Sequence, residues 1–555
     1  MEQHDHGKAE IEDKKPHDIY ADPEDLAVSL KHVTTSADCD LPVVNNMENE
    51  DKVRDHGLVT DASGHVFLLP RPSRSPDDPL NWSQKRKWTV LVIICWYYAL
   101  ALSASQFLSF VIPQLAESYP DEPFANINLL FTITVPLAAP ADIIWFVCAF
   151  KWGMRPTAVF AVLLFFISNL IGVINPYLFD QFLAARIIAG FGVAPSDVLN
   201  FIMVESFTFV HERGIYMAIL ASVGGALNSL LCIATTWITI NTSLRGVFLF
   251  YTIGSFVSFA GLWLLFPETS IHRNDSDLVE PLTKEEYREW RKTLGRGESS
   301  GLLLNPFAGH KNIRKHSLMD VAKWLWLALR NPVMWWFGIF QVVLFGGFSA
   351  VATYFATLLE SPPWSWAPAN VSFINFVVIP MAVIGVLVGI LSDWSIIKLA
   401  QRRGGSPKLE DRLLMMPFPA IFGIAGLVGF GAMAQSFYAD NAPHWFTCVF
   451  IYFLIMTAFC VGLQLSAMYF AGSVSSEHGL AMLTMLSAIR DLGSFGLSYG
   501  IVLFVDDVGF LNSFGIYGAL LGFFSLGAIP VYLYGEKIRG YLSASRYAPR
   551  TETEI

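Results

Sequence analysis

About twelve apolar stretches, each near the length that crosses a bilayer, decide what this chain can fold into. They run from Trp88 to Ile112, Ile127 to Phe150, Thr157 to Ile174, Asp180 to Glu205, Ile215 to Ile238 and Val247 to Phe266. After a polar interval they resume from Val333 to Leu359, Val371 to Leu391, Leu414 to Ala434, Phe446 to Gly472, Leu480 to Val505 and Phe514 to Tyr534. An apolar run of about 20 residues spans the hydrocarbon core as a helix, so the pattern predicts an all-α membrane protein in two six-helix halves. The expected divisions are a disordered acidic cytoplasmic tail (1–75), an amino-terminal half (76–266), a cytoplasmic central loop (267–330), a carboxy-terminal half (331–537) and a cytoplasmic tail (538–555).

Charge gives the orientation. Residues 1–78 hold 18 acidic and 8 basic side chains, which accounts for the formal charge of -10 and leaves the membrane body near neutral. No apolar signal segment follows Met1, so the first span is expected to direct insertion. Lys85, Arg86 and Lys87 flank that span. Alternating the loops from a cytoplasmic start places Lys151, Arg155, Arg213, the central loop, Lys398, Arg402, Arg403, Lys408, Arg412, Lys537 and Arg539 inside, with Arg245 left outside. That asymmetry follows the positive-inside rule and puts both termini in the cytoplasm. Within the central loop, Thr283 and Glu286 read as a capping box for a short charged helix, and Ser317 and Asp320 as the start of an amphipathic one. Five of the six cysteines fall in apolar runs and the sixth in the tail, which suits neither a disulfide framework nor a metal site.

The fourth stretch carries charges at membrane depth. At about 100° per residue, Arg186, Gly190, Val193, Asp197 and Asn200 share one narrow stripe. An arginine in mid-membrane persists by pairing with carboxylates, backbone carbonyls or a wet cavity, and such residues mark substrate or ion pathways more often than packing. Pro195 frees the carbonyl of Phe191, and with Gly190 and Gly192 nearby it predicts a bend beside Asp197. Asp142 in the second stretch lies too deep for a surface residue, and Arg490 and Asp491 sit mid-way along the eleventh, pointing about 100° apart and free to serve different partners. A proton-coupled carrier needs such carboxylates, so Asp142, Asp197, Asn200, Arg186, Arg490 and Asp491 are the candidates for proton coupling or substrate binding. Gln106, Asn228, Asn375 and Gln464 read mainly as interhelical glue.

Over about Pro76 to Arg546 the chain resembles the major facilitator superfamily, on the side of the fungal drug:proton antiporters. The resemblance is carried by Arg186, Gly190 and Gly192, which match the fourth-span arginine-glycine motif associated there with proton transfer, and by Lys151, Trp152, Gly153, Met154, Arg155 and Pro156 between the second and third spans. Pro76 to Lys87 is similar to the lead-in of fungal polyamine and organic-cation carriers, and Pro267, Glu268 and Thr269 to the end of the sixth span in many facilitators. Asp393, Arg402 and Arg403 with Leu409 to Leu413 resemble the eighth-to-ninth loop of that group. The resemblance implies the two-halved facilitator fold, a cytoplasmic gate at Lys151, Gly153, Arg155, Asp393, Arg402 and Arg403, and alternating access about a central site. The fifth-span antiporter motif departs here, with Gly224 and Gly225 leading into Ala226 without a proline.

These residues predict a secondary active, proton-coupled exporter of a small organic compound. The alternatives are a proton-driven importer of a polyamine or other organic cation, or a membrane nutrient sensor that keeps the fold without turnover. A nucleotide-binding loop is absent, so an ion gradient is expected to drive transport. Histidines lie in the tail, loops and helix ends rather than in intramembrane clusters, which speaks against a polytopic enzyme. A small organic substrate, protons and the lipid bilayer are the expected partners of a plasma-membrane monomer, with no cofactor, metal or nucleic acid. Asn370 and Asn241, in outer loops, are the expected glycosylation positions.

Overall fold

The computed structural model describes residues 72–270, 284–294, 316–402, 409–439, 441–473 and 476–544, all within one structural unit. Most of the acidic tail, Thr283 and Arg403 therefore lie outside the described residues, as does the side chain of Asp393. Among the described residues, twelve helices are long and apolar enough to cross a membrane. Spans 1 to 6 are Gln84–Phe110, Phe124–Trp152, Met154–Ile174, Phe179–Phe207, Ile219–Asn241 and Leu244–Leu265. Spans 7 to 12 are Pro332–Glu360, Pro368–Ser392, Glu410–Tyr438, Phe446–Phe470, His478–Val508 and Phe510–Gly535. Each overlaps the apolar stretch that predicts it, with ends that differ by up to four residues in either direction.

The helix caps follow local chemistry. Ser83 accepts from the backbone N–H of Arg86 to open span 1, and Asn331 accepts from Val333 with Pro332 in the first turn of span 7. Gly153, at φ 104°, separates spans 2 and 3 with a backbone that side chains rarely adopt. Spans 1, 5 and 6 pack together in the first half, as do spans 3, 4 and 6; in the second half span 7 packs on 10 and 11, and span 9 on 10 and 12. The halves meet along span 2 against span 11 and span 5 against span 8. Val92, Ile253, Ile379 and Phe523 keep more than half their surface exposed, which suits a lipid-facing perimeter.

Several spans are broken inside the bundle. Span 1 tightens into a 3-10 turn over Phe107–Phe110, span 2 divides at Ile133, and span 4 runs as Phe179–Val193, a 3-10 turn Ala194–Ser196 and Leu199–Phe207. Between the halves, the expected charged helix is Lys284–Thr293 and the amphipathic one Leu318–Leu329. Tyr287 on the former donates to the carbonyl of Leu80 at 2.9 Å, so it docks on the lead-in to span 1. On the latter, Trp324 packs 5.5 Å from Phe150 of span 2 and 6.0 Å from His478 of span 11, centroid to centroid. That helix thus bridges the two halves on the side where span 1 begins, hereafter the near side, rather than lying free.

Candidate functional site

Span 4 turns toward the opposite half where Pro195 interrupts it. The carbonyl that Pro195 releases, that of Phe191, accepts from Trp145 Nε1 at 2.8 Å, and the next one, of Gly192, accepts from the Tyr97 hydroxyl at 2.6 Å. Polar side chains of spans 1 and 2 thus satisfy the broken helix, as a non-helical backbone at membrane depth requires. The two glycines serve close approach: a Cβ on Gly192 would stand 2.5 Å from the Phe165 backbone nitrogen, and one on Gly190 would stand 2.8 Å from Leu137. Beyond the turn, Asp197 points across the interface.

There it meets span 11. Arg490 Nη2 lies 2.6 Å from Asp197 Oδ2, and Arg490 Nε lies 2.6 Å from Asp491 Oδ1. The sequence expectation that the adjacent Arg490 and Asp491 serve different partners is met only in part, because the long guanidinium folds back along its own helix and reaches both carboxylates. Ser487 Oγ accepts from Arg490 Nη2 at 3.0 Å and donates to Asp491 at 3.4 Å. Asp142 of span 2 stands beside Asp491, Asp197 and Ser487. It is 3% exposed, and neither carboxylate oxygen has a hydrogen-bond partner among the described residues, since the Ser487 hydroxyl is engaged by its own helix. Three carboxylates thus surround one guanidinium, and only the Asp197 side chain, 31% exposed, faces open space.

Aromatic rings complete the surroundings. The Arg490 guanidinium sits 5.3 Å from the Phe345 ring centroid, and Phe345 stacks on Phe459, which stacks on Phe348. Tyr98 of span 1 lies beside Asp197 and meets Phe201 edge-on. An apolar wall next to an exposed carboxylate can hold a partly apolar molecule by its body and orient a cationic group on it. Phe345 escaped the sequence reading because one phenylalanine among so many carries no signal of its own.

Arg186 is elsewhere. Its Nη1 donates to the carbonyl of Ala104 at 2.6 Å, its Nε to that of Leu130 at 3.0 Å, and Nη2 approaches Thr134 Oγ1 at 3.5 Å. Ala104 and Leu130 lie one turn before the breaks in spans 1 and 2, where a change of helical pitch frees carbonyls. The stripe shared by Arg186 and Asp197 is thus divided by the Pro195 turn, and the two side chains serve different partners. Asn200, 1% exposed, has an amide nitrogen without a hydrogen-bond partner among the described residues.

On the near side, Arg155 is fully buried and donates to the Trp263 carbonyl at 2.7 Å, while Lys151 and Arg402 are exposed. The carboxylate of Glu268 accepts from the backbone N–H groups of Met154, Arg155, Thr269 and Ser270, at 3.0, 3.3, 3.0 and 2.9 Å. It caps the start of span 3 from the end of span 6, the favoured place for an anion. Burial pushes its carboxyl up, while these four donors hold it down. The Pro267-Glu268-Thr269 landmark and the loop after span 2 are thus one structure, which their separation in sequence conceals. Asn370 is exposed in the first turn of span 8, and Asn241 ends span 5 with its amide on the Trp237 carbonyl.

Residues 94–495 match the family model of the Major Facilitator Superfamily. An uncharacterized MFS-type transporter of Schizosaccharomyces pombe is 24% identical, with 90% of this chain and 92% of that one aligned. The multidrug transporter AQR1 of Candida glabrata is 26% identical over 35% of this chain and 32% of its own, and protein HOL1 of Saccharomyces cerevisiae 31% over 22% and 21%. Among solved structures, the E. coli xylose transporter XylE, partially occluded and inward open, is similar with a TM-score of 0.53 at 15% identity, over 81% of this chain and 98% of that one. A POT family transporter in complex with a thioalcohol conjugated peptide gives 0.55 at 12% identity, over 84% and 99%. These structural likenesses bear on the fold.

Proposed function

The chain belongs to the major facilitator superfamily, a multi-pass membrane transporter family, and on that premise we propose that it exchanges protons for a small, partly apolar organic cation, exporting the latter by alternating access. The observation that carries this reading is the balance of charge at the interface: Asp142, Asp197 and Asp491 against the single Arg490. All ionised, they leave an excess of negative charge in a dry setting, which a bound proton or a bound cation compensates. Because Asp197 belongs to one half and Arg490 to the other, occupancy of the carboxylates bears directly on the contact that joins the halves. Proton and substrate then compete, which is the condition for exchange. Export follows from the likeness of Arg186, Gly190 and Gly192 to the antiporter motif; import of an organic cation through the same site is favoured instead by the likeness of Pro76 to Lys87 to cation carriers. The setting we propose is the plasma membrane with both termini cytoplasmic.

Reconstituted vesicles with an imposed pH gradient test this. A cationic compound that drives proton flux in the opposite direction supports exchange, and flux in the same direction supports import. Substrate binding without any proton flux favours a sensor. A neutral or anionic compound as the sole transported species overturns the charge argument.

A further inference from the structure

We propose that Asn128 is the latch that holds the far side of the two halves shut and so sets how often the transporter opens to that side. Asn128 lies on span 2, near the end away from the near side, and is fully buried. Its Oδ1 accepts from the Thr353 hydroxyl of span 7 at 3.0 Å, and its Nδ2 donates to the Ser498 carbonyl of span 11 at 3.2 Å. Both partners belong to the other half, and Thr353 is itself fully buried. Separating the halves on this side therefore breaks both bonds; Thr353 can turn its hydroxyl to the Ser349 carbonyl of its own helix at 3.1 Å, but the Asn128 amide stays unsatisfied until water reaches it.

The rim beyond it behaves differently. Gln114 Nε2 donates to both oxygens of Glu360, at 3.1 and 2.9 Å, but this pair is only part-buried and water replaces it readily. Between rim and latch, Phe110 meets Phe355 and Phe124 meets Tyr354 across the halves. These rings seal without direction, whereas the amide of Asn128 fixes register as well as closure. Asn128 is thus a positioning residue for alternating access. The inference rests on that part of the reading above and on neither proton coupling nor substrate.

The test uses native cysteines of the full chain in lipid nanodiscs. Cys232 is fully buried on span 5 and lies near Tyr452 of the second half, so its reaction with a polar maleimide reports far-side opening. In Asn128→Ala and in Thr353→Val its labelling is expected to speed up by about tenfold or more, the factor equivalent to about 1.4 kcal/mol. Thr353→Ser keeps the hydroxyl and is expected to label at the wild-type rate, and Gln114→Ala within about twofold. Wild-type rates in both Asn128→Ala and Thr353→Val overturn the proposal. So does general loosening, in which Cys148 of the near side speeds up together with Cys232. If Asn128→Ala fails to fold, so that Cys95, Cys148, Cys232, Cys448 and Cys460 all label at once, Thr353→Val decides alone. Labelling needs neither substrate nor gradient, so a protein that shows the shift yet moves no protons overturns the exchange reading and leaves the latch in place.

Discussion

Arg490 serves two carboxylates while Asp142 has no hydrogen-bond partner among the described residues, so charge, more than shape, is what substitutions here perturb. Asp142→Asn and Asp197→Asn keep the volume of the side chain but remove a negative charge. At whichever carboxylate carries the proton, the change is expected to abolish gradient-driven accumulation while downhill substrate exchange continues, because exchange releases no proton. Proteoliposome counterflow beside gradient-driven uptake distinguishes the two modes. Arg490→Lys retains the charge, yet one ammonium cannot reproduce the planar fork between Asp197 and Asp491. Losing one charge-assisted hydrogen bond costs about 1.5–3 kcal/mol, so turnover is expected to fall roughly ten- to a hundredfold if that contact is made in the rate-limiting state. Arg490→Ala leaves three carboxylates, Asp142, Asp197 and Asp491, facing one another and is expected to destabilise the protein by about 3–5 kcal/mol. Arg186→Lys tests something else: its guanidinium holds the carbonyls of Ala104 and Leu130, so loss of thermal stability together with turnover is expected there, whereas the Asp variants lose coupling without stability.

At the scale of elements, Glu268 joins the start of span 3 to the end of span 6. Glu268→Gln removes the charge and turns one acceptor into a donor facing backbone N–H groups, which is expected to cost about 1–3 kcal/mol and lower the thermal unfolding midpoint. The sign of the pH dependence follows from burial: a carboxyl pushed up on folding binds more protons in the native state than in the unfolded one, so its contribution falls as pH rises above about 4.3. That slope is expected to vanish in Glu268→Gln. The elements themselves were legible from sequence because length and hydropathy are local properties: every span was visible, and Pro195 foretold the break and the freed Phe191 carbonyl. The partner of that carbonyl, Trp145, was not, since a tryptophan in an apolar run has the same local signature whether it faces lipid, core or a broken helix. The candidate site was legible as a set of costly residues, Asp142, Asp197, Arg490 and Asp491, because charge in hydrocarbon stands out singly. Which of them meet is a matter of tertiary pairing, and the stripe through Arg186 and Asp197 does not survive the bend that Pro195 itself predicts, so the two side chains part to different partners. Asn128 is a lone amide between Ile127 and Leu129 in an apolar run, a signal of the same kind but weaker.

For the whole molecule, the far-side hub at Asn128 and the near-side bridge at Trp324 are present together, one built of hydrogen bonds and the other of rings. Opening to the far side must break the first, and opening to the near side must part Phe150 from His478, between which Trp324 lies. The two contacts then bias one equilibrium in opposite senses, and a substitution acts only through the difference it makes between the states. Trp324→Ala removes the ring from the bridge and is expected to favour the near-side-open state, slowing far-side labelling of Cys232 by a few-fold where Asn128→Ala speeds it. The residues lie on opposite sides of the bundle and share no partner, so the double variant is expected to label at close to the product of the two single effects. Spin labels placed at Tyr177 and Leu511, exposed on the far side in the first and second halves, provide a second readout: their separation is expected to widen in Asn128→Ala and narrow again when Trp324→Ala is added. Should Trp324→Ala leave both readouts unchanged, the helix Leu318–Leu329 is a tether that follows the halves without biasing them, and the near side is held by the contacts of span 2 against span 11 and of span 5 against span 8.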